Sequence, residues 1–282
     1  MRWSLAALFW MVSLAIAPGP ALAQHPGGST PDRLVLVELF TSQGCDMCPE
    51  AERILGAVAA GNPRIVPVAF HVDYFNDPWK DPFSDKLYSQ RQAAYNTLYT
   101  KPKHPEYGLY YTPMVMVDGY RTENGRDQAG IQAAVREARV RRPLVELSAT
   151  LRLSEKGRSG EVEATVSPLS GRVKGRELLI CAVLRDDRVV TEVASGENAN
   201  KALTARFPAR LTRFEFTTLD ESKSATLRFP FPLDPVWNAE KLGIVVFAQD
   251  RKSGEVLQTA YIPWASPESK QTPGRAPSRA RR

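Results

Sequence analysis

The chain has 282 residues, with 37 Lys and Arg against 31 Asp and Glu, 43% hydrophobic residues and three cysteines. This is the composition of an ordinary globular protein, and it excludes a collagen, a long coiled coil and a small disulfide scaffold. The length predicts two domains once any targeting segment is removed. The formal net charge of +6 indicates an acidic partner only if it lies on the folded body.

The N-terminus has the layout of a cleavable secretory signal. Residues 1–23 carry one basic residue, Arg2, then an apolar run over residues 5–17, and end in Ala21-Leu22-Ala23. The apolar run, about thirteen residues, is short for a membrane span of roughly 20 residues. An uncleaved anchor is the alternative. Cleavage near Ala23 predicts a periplasmic or secreted protein, in a compartment where disulfides persist.

The basic charge lies mainly at the other end of the chain. Residues 266–282 hold five Lys and Arg and one acid, and the signal holds one Arg, which leaves 31 basic against 30 acidic residues between 24 and 265. The nearly neutral body gives no reason to expect nucleic acid as a partner. We predict a disordered tail that contacts an anionic envelope surface weakly, if at all.

A reactive dithiol is the clearest chemical feature of the first half. Residues 34–40 form a β-branched apolar run typical of a buried strand, and residues 50–60 have apolar side chains at helical spacing. The CxxC motif, Cys45 to Cys48, lies at the turn between them. A helix N-terminus stabilises a nearby thiolate, so Cys45 is the expected nucleophile and Cys48 the resolving thiol. A structural zinc site is disfavoured because no second CxxC or paired His follows at ligand spacing.

The remaining patterns divide the chain in two. Up to about residue 142 the predicted order is βαβαββα, with strands over 64–72 and 114–117 and helices over 84–98 and 127–140. From Pro143 onward seven or eight short strands alternate with turns, which predicts an antiparallel sandwich over residues 143–265. Cys181 lies in an apolar run of this half and is expected to be a buried bystander. The polar loop over residues 196–200 has no evident mechanism.

Several local motifs together resemble those of a known family. They are Glu38-Leu39-Phe40-Thr41-Ser42-Gln43-Gly44-Cys45, Cys48-Pro49, Phe70-His71-Val72-Asp73-Tyr74, Trp79 to Phe83, Arg91-Gln92 and Tyr111-Thr112-Pro113. This set is similar to the secreted bacterial family called domain of unknown function 1223. The strand–CxxC–helix unit with a later Thr-Pro before a strand also resembles the thioredoxin superfamily. Asp46-Met47 departs from the family pattern, where two small residues are common.

The resemblance implies a fold and roles for particular residues. It implies an α/β thioredoxin-like domain over residues 24–142, followed by the all-β sandwich. It implies that Pro113 is cis and packs against the cysteines, and that the backbone of Thr112 pairs with an extended substrate. It also implies that Glu38 transfers protons to Cys48, although a salt bridge at the surface or at the sheet end is the alternative.

A substrate groove is predicted beside the dithiol. His71 ends the second strand, where it is expected to lower the pKa of Cys45, to bind a metal or to bond a loop carbonyl. The aromatic loop after it contains Tyr74 and Trp79, and Tyr111 precedes the Thr-Pro pair. We expect these residues to line the groove.

The function expected from these features is thiol–disulfide exchange through Cys45 and Cys48, on a protein or small-molecule thiol or disulfide, with no bound cofactor. The alternative is a copper(I)-handling protein that uses Cys45, Cys48 and His71, with Met47, Met114 and Met116 nearby, because soft sulfur ligands suit Cu(I).

Overall fold

The structure is a computed structural model that describes residues 33–220 and 223–265. The predicted signal over 1–23 and the predicted tail over 266–282 lie outside the described residues. The described part is rich in strands, which are β1 Val35–Thr41, β2 Ile65–His71, β3 Met114–Val117, β4 Arg121–Asn124, β5 Val145–Leu153, β6 Ser159–Pro168, β7 Glu177–Asp186, β8 Arg188–Glu192, β9 Ala202–Arg206, β10 Ala209–Thr218, β11 Ala225–Pro232, β12 Leu242–Asp250 and β13 Val256–Pro263. The α-helices are α1 Cys48–Ala60, α2 Lys86–Leu98 and α3 Gln128–Arg139.

The first sheet carries the dithiol. Its strand order is β2-β1-β3-β4, with β1 parallel to β2 and antiparallel to β3. The apolar run of β1 is buried along its whole length because both faces of this sheet are covered. The register pairs Thr41 with His71, so the ends of β1 and β2 lie side by side just before the CxxC turn.

The second half forms two larger antiparallel sheets and a hairpin. The sheets have the orders β10-β7-β12-β13 and β11-β6-β5, and β8 pairs with β9. One apolar cluster joins the two sheets through alternate residues of β7 and β12, such as Ile180 and Val246. The intervening residues, such as Val183 and Phe247, belong to a second cluster that includes Leu36 and Phe40 of β1.

The predicted fold class, an α/β thioredoxin-like N-terminal domain followed by an all-β sandwich, is wrong. Strands make up 43% and helices 19% of the structure, which is a mostly β architecture in several sheets. Helices α1 and α3 cover one face of the first sheet through residues such as Leu55 and Ile131. The other face packs on α2 and also on β7 and β12, so strands of the second half cover part of the first sheet.

The reason for the error is visible in the burial of β7 and β12. Their apolar runs are continuous rather than alternating, and β12 is buried at every position. Such a run is typical of a strand covered on both faces, and these strands form a middle layer shared by the two halves. Among the described residues, no helix is long and apolar enough to cross a membrane.

Candidate functional site

Cys45 and Cys48 form a disulfide at the turn between β1 and α1, with their Cα atoms 5.4 Å apart. The helix begins at Cys48, and Pro49 lies in its first turn. Proline suits this position because amides of the first turn have no partner within the helix, so the N–H that proline lacks is not missed. The Cys48 amide donates to the Cys45 carbonyl at 3.3 Å. Both cysteines are almost fully buried, at 1% and 0% exposure, whereas Met47 between them is 45% exposed.

The segment before β3 approaches α1 closely. The Thr112–Pro113 peptide bond is cis, and the Gly125 amide donates to the Pro113 carbonyl at 2.9 Å. A Cβ added at Gly125 would lie 2.8 Å from the Cβ of Pro113 and 3.0 Å from that of Ala51. Only glycine leaves enough space for this segment to pack beside the first turns of α1. Thr112 and Pro113 are therefore brought to the helix that carries the disulfide.

The structure does not bring Glu38 to the dithiol. Its neighbours Val37 and Leu39 pack toward α1, and by strand alternation Glu38 lies on the opposite face. There its carboxylate accepts two hydrogen bonds from the Arg91 guanidinium, at 2.6 and 3.1 Å, and one from the Tyr95 hydroxyl at 3.1 Å. The arrangement is a salt bridge rather than a proton-transfer site. It is buried within β1 and not at the surface or the sheet end, and its partner comes from α2.

Instead, a different buried acid lies on the inner face of α1. Glu52 is 3% exposed and follows Cys48 by four residues, which places the two on the same face of the helix. Its carboxyl accepts hydrogen bonds from the Thr41 hydroxyl at 3.4 Å and from the Arg206 amide at 2.7 Å. The sequence analysis missed this residue. The signal was a charged side chain within the apolar stripe of a helix.

His71 joins Glu52 to a second buried acid. Its Nδ1 atom lies 2.7 Å from Asp81 Oδ2, and its Nε2 atom lies 3.8 Å from Glu52 Oε1. Asp81 also accepts a hydrogen bond from the Gln43 amide at 2.7 Å, two residues before Cys45. His71 is fully buried, so it supports the CxxC turn from beneath rather than lining an open groove.

Charge within this cluster is set by burial and by neighbouring groups. Burial raises the pKa of Glu52 to about 7 against the opposing charge of His71. For His71 burial alone lowers the pKa, but the Asp81 charge and hydrogen bond outweigh it and the pKa is raised. Burial likewise opposes ionisation of Asp81, whereas the charge of His71 lowers the pKa overall. The cluster therefore holds a His71–Asp81 ion pair beside a carboxyl that changes charge near neutral pH.

Aromatic side chains form a surface beside the Thr112–Pro113 segment. The Tyr74 hydroxyl donates to Gln92 Oε1 at 3.0 Å, and Gln92 Nε2 donates to the Tyr111 carbonyl at 2.7 Å. The Tyr74 and Tyr110 rings lie 4.7 Å apart, and both are exposed. Tyr74 and Tyr111 are thus held together through one glutamine. Trp79 lies half-buried in the same loop as Tyr74.

The aromatic loop also contacts the CxxC turn directly. A Cβ at Gly44 would lie 2.8 Å from the Phe75 carbonyl oxygen, so the loop backbone packs on the residue before Cys45. Any larger residue at Gly44 would separate the loop from the turn. Glycine at this position therefore lets the aromatic surface and the disulfide share one side of the molecule.

The loop between β8 and β9 also reaches the CxxC turn. Asn198 Nδ2 donates to the carbonyl oxygens of Gln43 and Cys45, both at 2.9 Å. The Asp46 amide donates to Glu197 Oε2 at 2.9 Å. Sequence reasoning found this polar loop but no role for it, because nothing in its pattern reveals a contact some 150 residues away.

The soft ligands proposed for copper are not gathered at the dithiol. Met114 and Met116 are fully buried in the cluster that faces α2, whereas α1 lies on the other face of the sheet. Met47 is exposed, and His71 is occupied by Asp81. Within residues 33–220 and 223–265, no group of three or more His, Cys, Asp or Glu has the arrangement of a metal site.

Comparison with known proteins supplies a family and a fold. A family model described as "Protein of unknown function (DUF1223)" matches residues 36–249. The solved structure of protein AGR_C_4864 from Agrobacterium tumefaciens is 22% identical, with a TM-score of 0.57, and the match covers 81% of this chain and 93% of that one. HBP35 of Porphyromonas gingivalis is 14% identical with a TM-score of 0.60, covering 86% and 78% of the two chains. No curated protein matches the chain. These similarities show a shared fold and do not assign an activity.

Proposed function

Because the chain belongs to the DUF1223 family, whose function is unknown, we propose from the geometry of the site that it catalyses thiol–disulfide exchange through Cys45 and Cys48. One observation carries the proposal: the two cysteines form a disulfide at the N-terminal end of α1. At this position the helix dipole and unpaired amides favour the thiolate that exchange requires.

The proposed reaction passes two electrons between the dithiol and a substrate. In the reducing direction the Cys45 thiolate attacks a substrate disulfide, whose S–S bond breaks and releases one substrate thiolate. The Cys48 thiolate then attacks Cys45 Sγ, the mixed disulfide breaks, and the Cys45–Cys48 bond forms. The two released thiolates take up the protons that the cysteines lost. The reverse sequence oxidises a substrate dithiol.

Glu52 is the group best suited to exchange a proton with Cys48. The two side chains are one helical turn apart on the buried face of α1. A proton acceptor works best when its pKa is close to the ambient pH, and the pKa of Glu52 is raised to about 7. This assignment replaces Glu38, whose carboxylate is bound to Arg91 on the other face of the sheet.

The aromatic surface supports an extended peptide as the substrate. Tyr74 and Tyr110 are exposed, whereas Gln92 fixes the backbone of Tyr111 next to the Thr112–Pro113 segment. Rigid aromatic side chains bind apolar peptide groups with little loss of conformational entropy. A small-molecule thiol or disulfide is the alternative substrate. We further propose that the protein acts in the periplasm or outside the cell, where such a disulfide persists.

Reduction and reoxidation by defined redox pairs test this function. The full mature chain should exchange with a model peptide disulfide at least ten times faster than free dithiol at the same concentration. Cys45→Ser should abolish this rate, and Cys181→Ser, which removes a buried thiol outside the site, should leave it unchanged. A wild-type rate equal to that of the free dithiol contradicts the proposal.

A further inference from the structure

The loop between β8 and β9, residues 196–200, covers the CxxC turn. Asn198 is 1% exposed, and both hydrogens of its amide nitrogen are used by main-chain carbonyls of the turn. Its Oδ1 atom accepts a hydrogen bond from Lys201 at 3.0 Å. Both polar atoms of the Asn198 amide are thus hydrogen-bonded. One residue from the second half of the chain therefore holds the main chain on either side of Gly44.

Glu197 adds a charge at the same place. Its carboxylate accepts the hydrogen bond of the Asp46 amide, which directly follows Cys45 and lies two residues before α1 begins. A carboxylate beside the nucleophile also disfavours the thiolate by repulsion, and the Asp46 side chain adds a second negative charge. Lys201, which donates to Asn198, directly follows this loop.

Because the disulfide is buried, the loop affects how easily a thiolate can reach it. Cys45 is only 1% exposed, so an attacking thiolate reaches it after a covering segment moves. Breaking these two hydrogen bonds leaves buried polar groups without partners, which is unfavourable. The bonds of Asn198 therefore oppose the opening of the turn.

We propose that the loop over residues 196–200 is a latch on the dithiol, in which Asn198 limits access to the disulfide and Glu197 shifts its redox equilibrium toward the oxidised form. Both are positioning residues, since they act on the turn and not on the substrate. The inference rests on the proposed function, but the properties it concerns belong to the dithiol itself.

Two pairs of variants test the latch on the full mature chain. Asn198→Ala is paired with Asn238→Ala, which removes an exposed asparagine that accepts a main-chain hydrogen bond at a short 3-10 turn elsewhere. Glu197→Gln is paired with Glu192→Gln, an exposed acid at the end of β8. The measurements are the rate of reduction by dithiothreitol, the equilibrium constant with glutathione, and the pKa of Cys45 from the pH dependence of alkylation.

Asn198→Ala should speed reduction by dithiothreitol about tenfold, because the turn opens more readily. Glu197→Gln should lower the pKa of Cys45 and shift the glutathione equilibrium about threefold toward the reduced dithiol, since the thiolate gains stability. The control variants should stay within a factor of two of wild type. A purely structural loop would lower the unfolding temperature and leave the equilibrium and the pKa unchanged.

Equal values in Glu197→Gln and wild type overturn the redox part, and an unchanged reduction rate in folded Asn198→Ala overturns the access part. If Asn198→Ala does not fold, Lys201→Gln, which loosens the same amide at its oxygen, replaces it. These outcomes are independent of substrate turnover. Failure of the exchange assay with intact latch effects would reject the proposed function alone.

Discussion

Glu52 shows how one buried acid makes stability depend on pH. An exposed glutamate has a pKa near 4.5, and burial raises the pKa of Glu52 in the folded protein to about 7. Between these values the folded protein binds a proton that the unfolded chain does not. The free energy of unfolding therefore falls as pH rises through this window, by up to about 3 kcal/mol.

Denaturant unfolding at pH 5 and pH 8 tests this prediction. Wild type should lose stability between the two values, and Glu52→Gln, which cannot ionise, should lose much less. His71 contributes in the same direction, because its raised pKa means that a favourable proton is lost as pH increases. Glu50→Gln, at the exposed start of the same helix, is the control and should keep the wild-type slope. Parallel slopes in wild type and Glu52→Gln would contradict a raised pKa.

The Glu38–Arg91 pair makes a second prediction for single residues. Both side chains are largely buried, and the guanidinium also lies 4.8 Å from the Phe247 ring centroid. Removing one partner leaves an uncompensated buried charge, so Arg91→Leu should lower the free energy of unfolding by about 3–5 kcal/mol. The double variant Glu38→Leu with Arg91→Leu should recover a large part of this loss. A double variant as unstable as the single one would show that packing, not charge, is decisive.

Among the elements, the turn between β3 and β4 packs closely against the turn between β12 and β13. Gly119 has a φ of +60°, and an added Cβ would collide with the carbonyl oxygen of Gly254 in the turn between β12 and β13. Gly157 has a φ of +64° but no atom within 4 Å of its added Cβ. Gly157→Ala should therefore cost about 1 kcal/mol from backbone strain alone. Gly119→Ala should cost at least twice as much, and equal costs in thermal unfolding would contradict the close approach of the two turns.

The elements themselves follow closely from the sequence. Helix α1 extends from Cys48 to Ala60, and β1, β2 and β3 begin and end within about two residues of their predicted bounds, because apolar spacing sets where they bury. Strand β9 was not predicted, since Ala202–Arg206 has only one buried residue and pairs only with β8.

The site could be predicted only where its chemistry is local. The CxxC motif and the Thr-Pro pair are short patterns, so their residues were found. Glu52, Asp81 and Asn198 act through contacts between distant segments, and no local pattern encodes which partner each will meet. The sequence did not reveal which face of the sheet Glu38 lies on, because a strand buried on both sides has no polar face that would fix the alternation of its side chains.

At the scale of the whole molecule, two apolar clusters that share β7 and β12 join the two halves of the chain. The middle layer of β7 and β12 gives one set of side chains to the sheet of β5, β6 and β11 and the other set to β1 and α2. The loop over 196–200 adds a further contact between the two halves, because Asn198 donates a hydrogen bond to the carbonyl oxygen of Cys45. The surroundings of the disulfide are therefore built from both halves, although all the proposed exchange chemistry lies in the first.

This arrangement predicts that the two halves unfold together. Phe247 is fully buried in the shared cluster, and Phe247→Ala should lower stability by about 3–5 kcal/mol through the cavity it leaves. In hydrogen exchange resolved by segment, the loss of protection should be the same in β1, α2, β7 and β6. Phe214→Ala, at a 44% exposed position on β10, should change little. Lost protection in only one half would contradict a shared core, because independent halves respond separately to the same cavity.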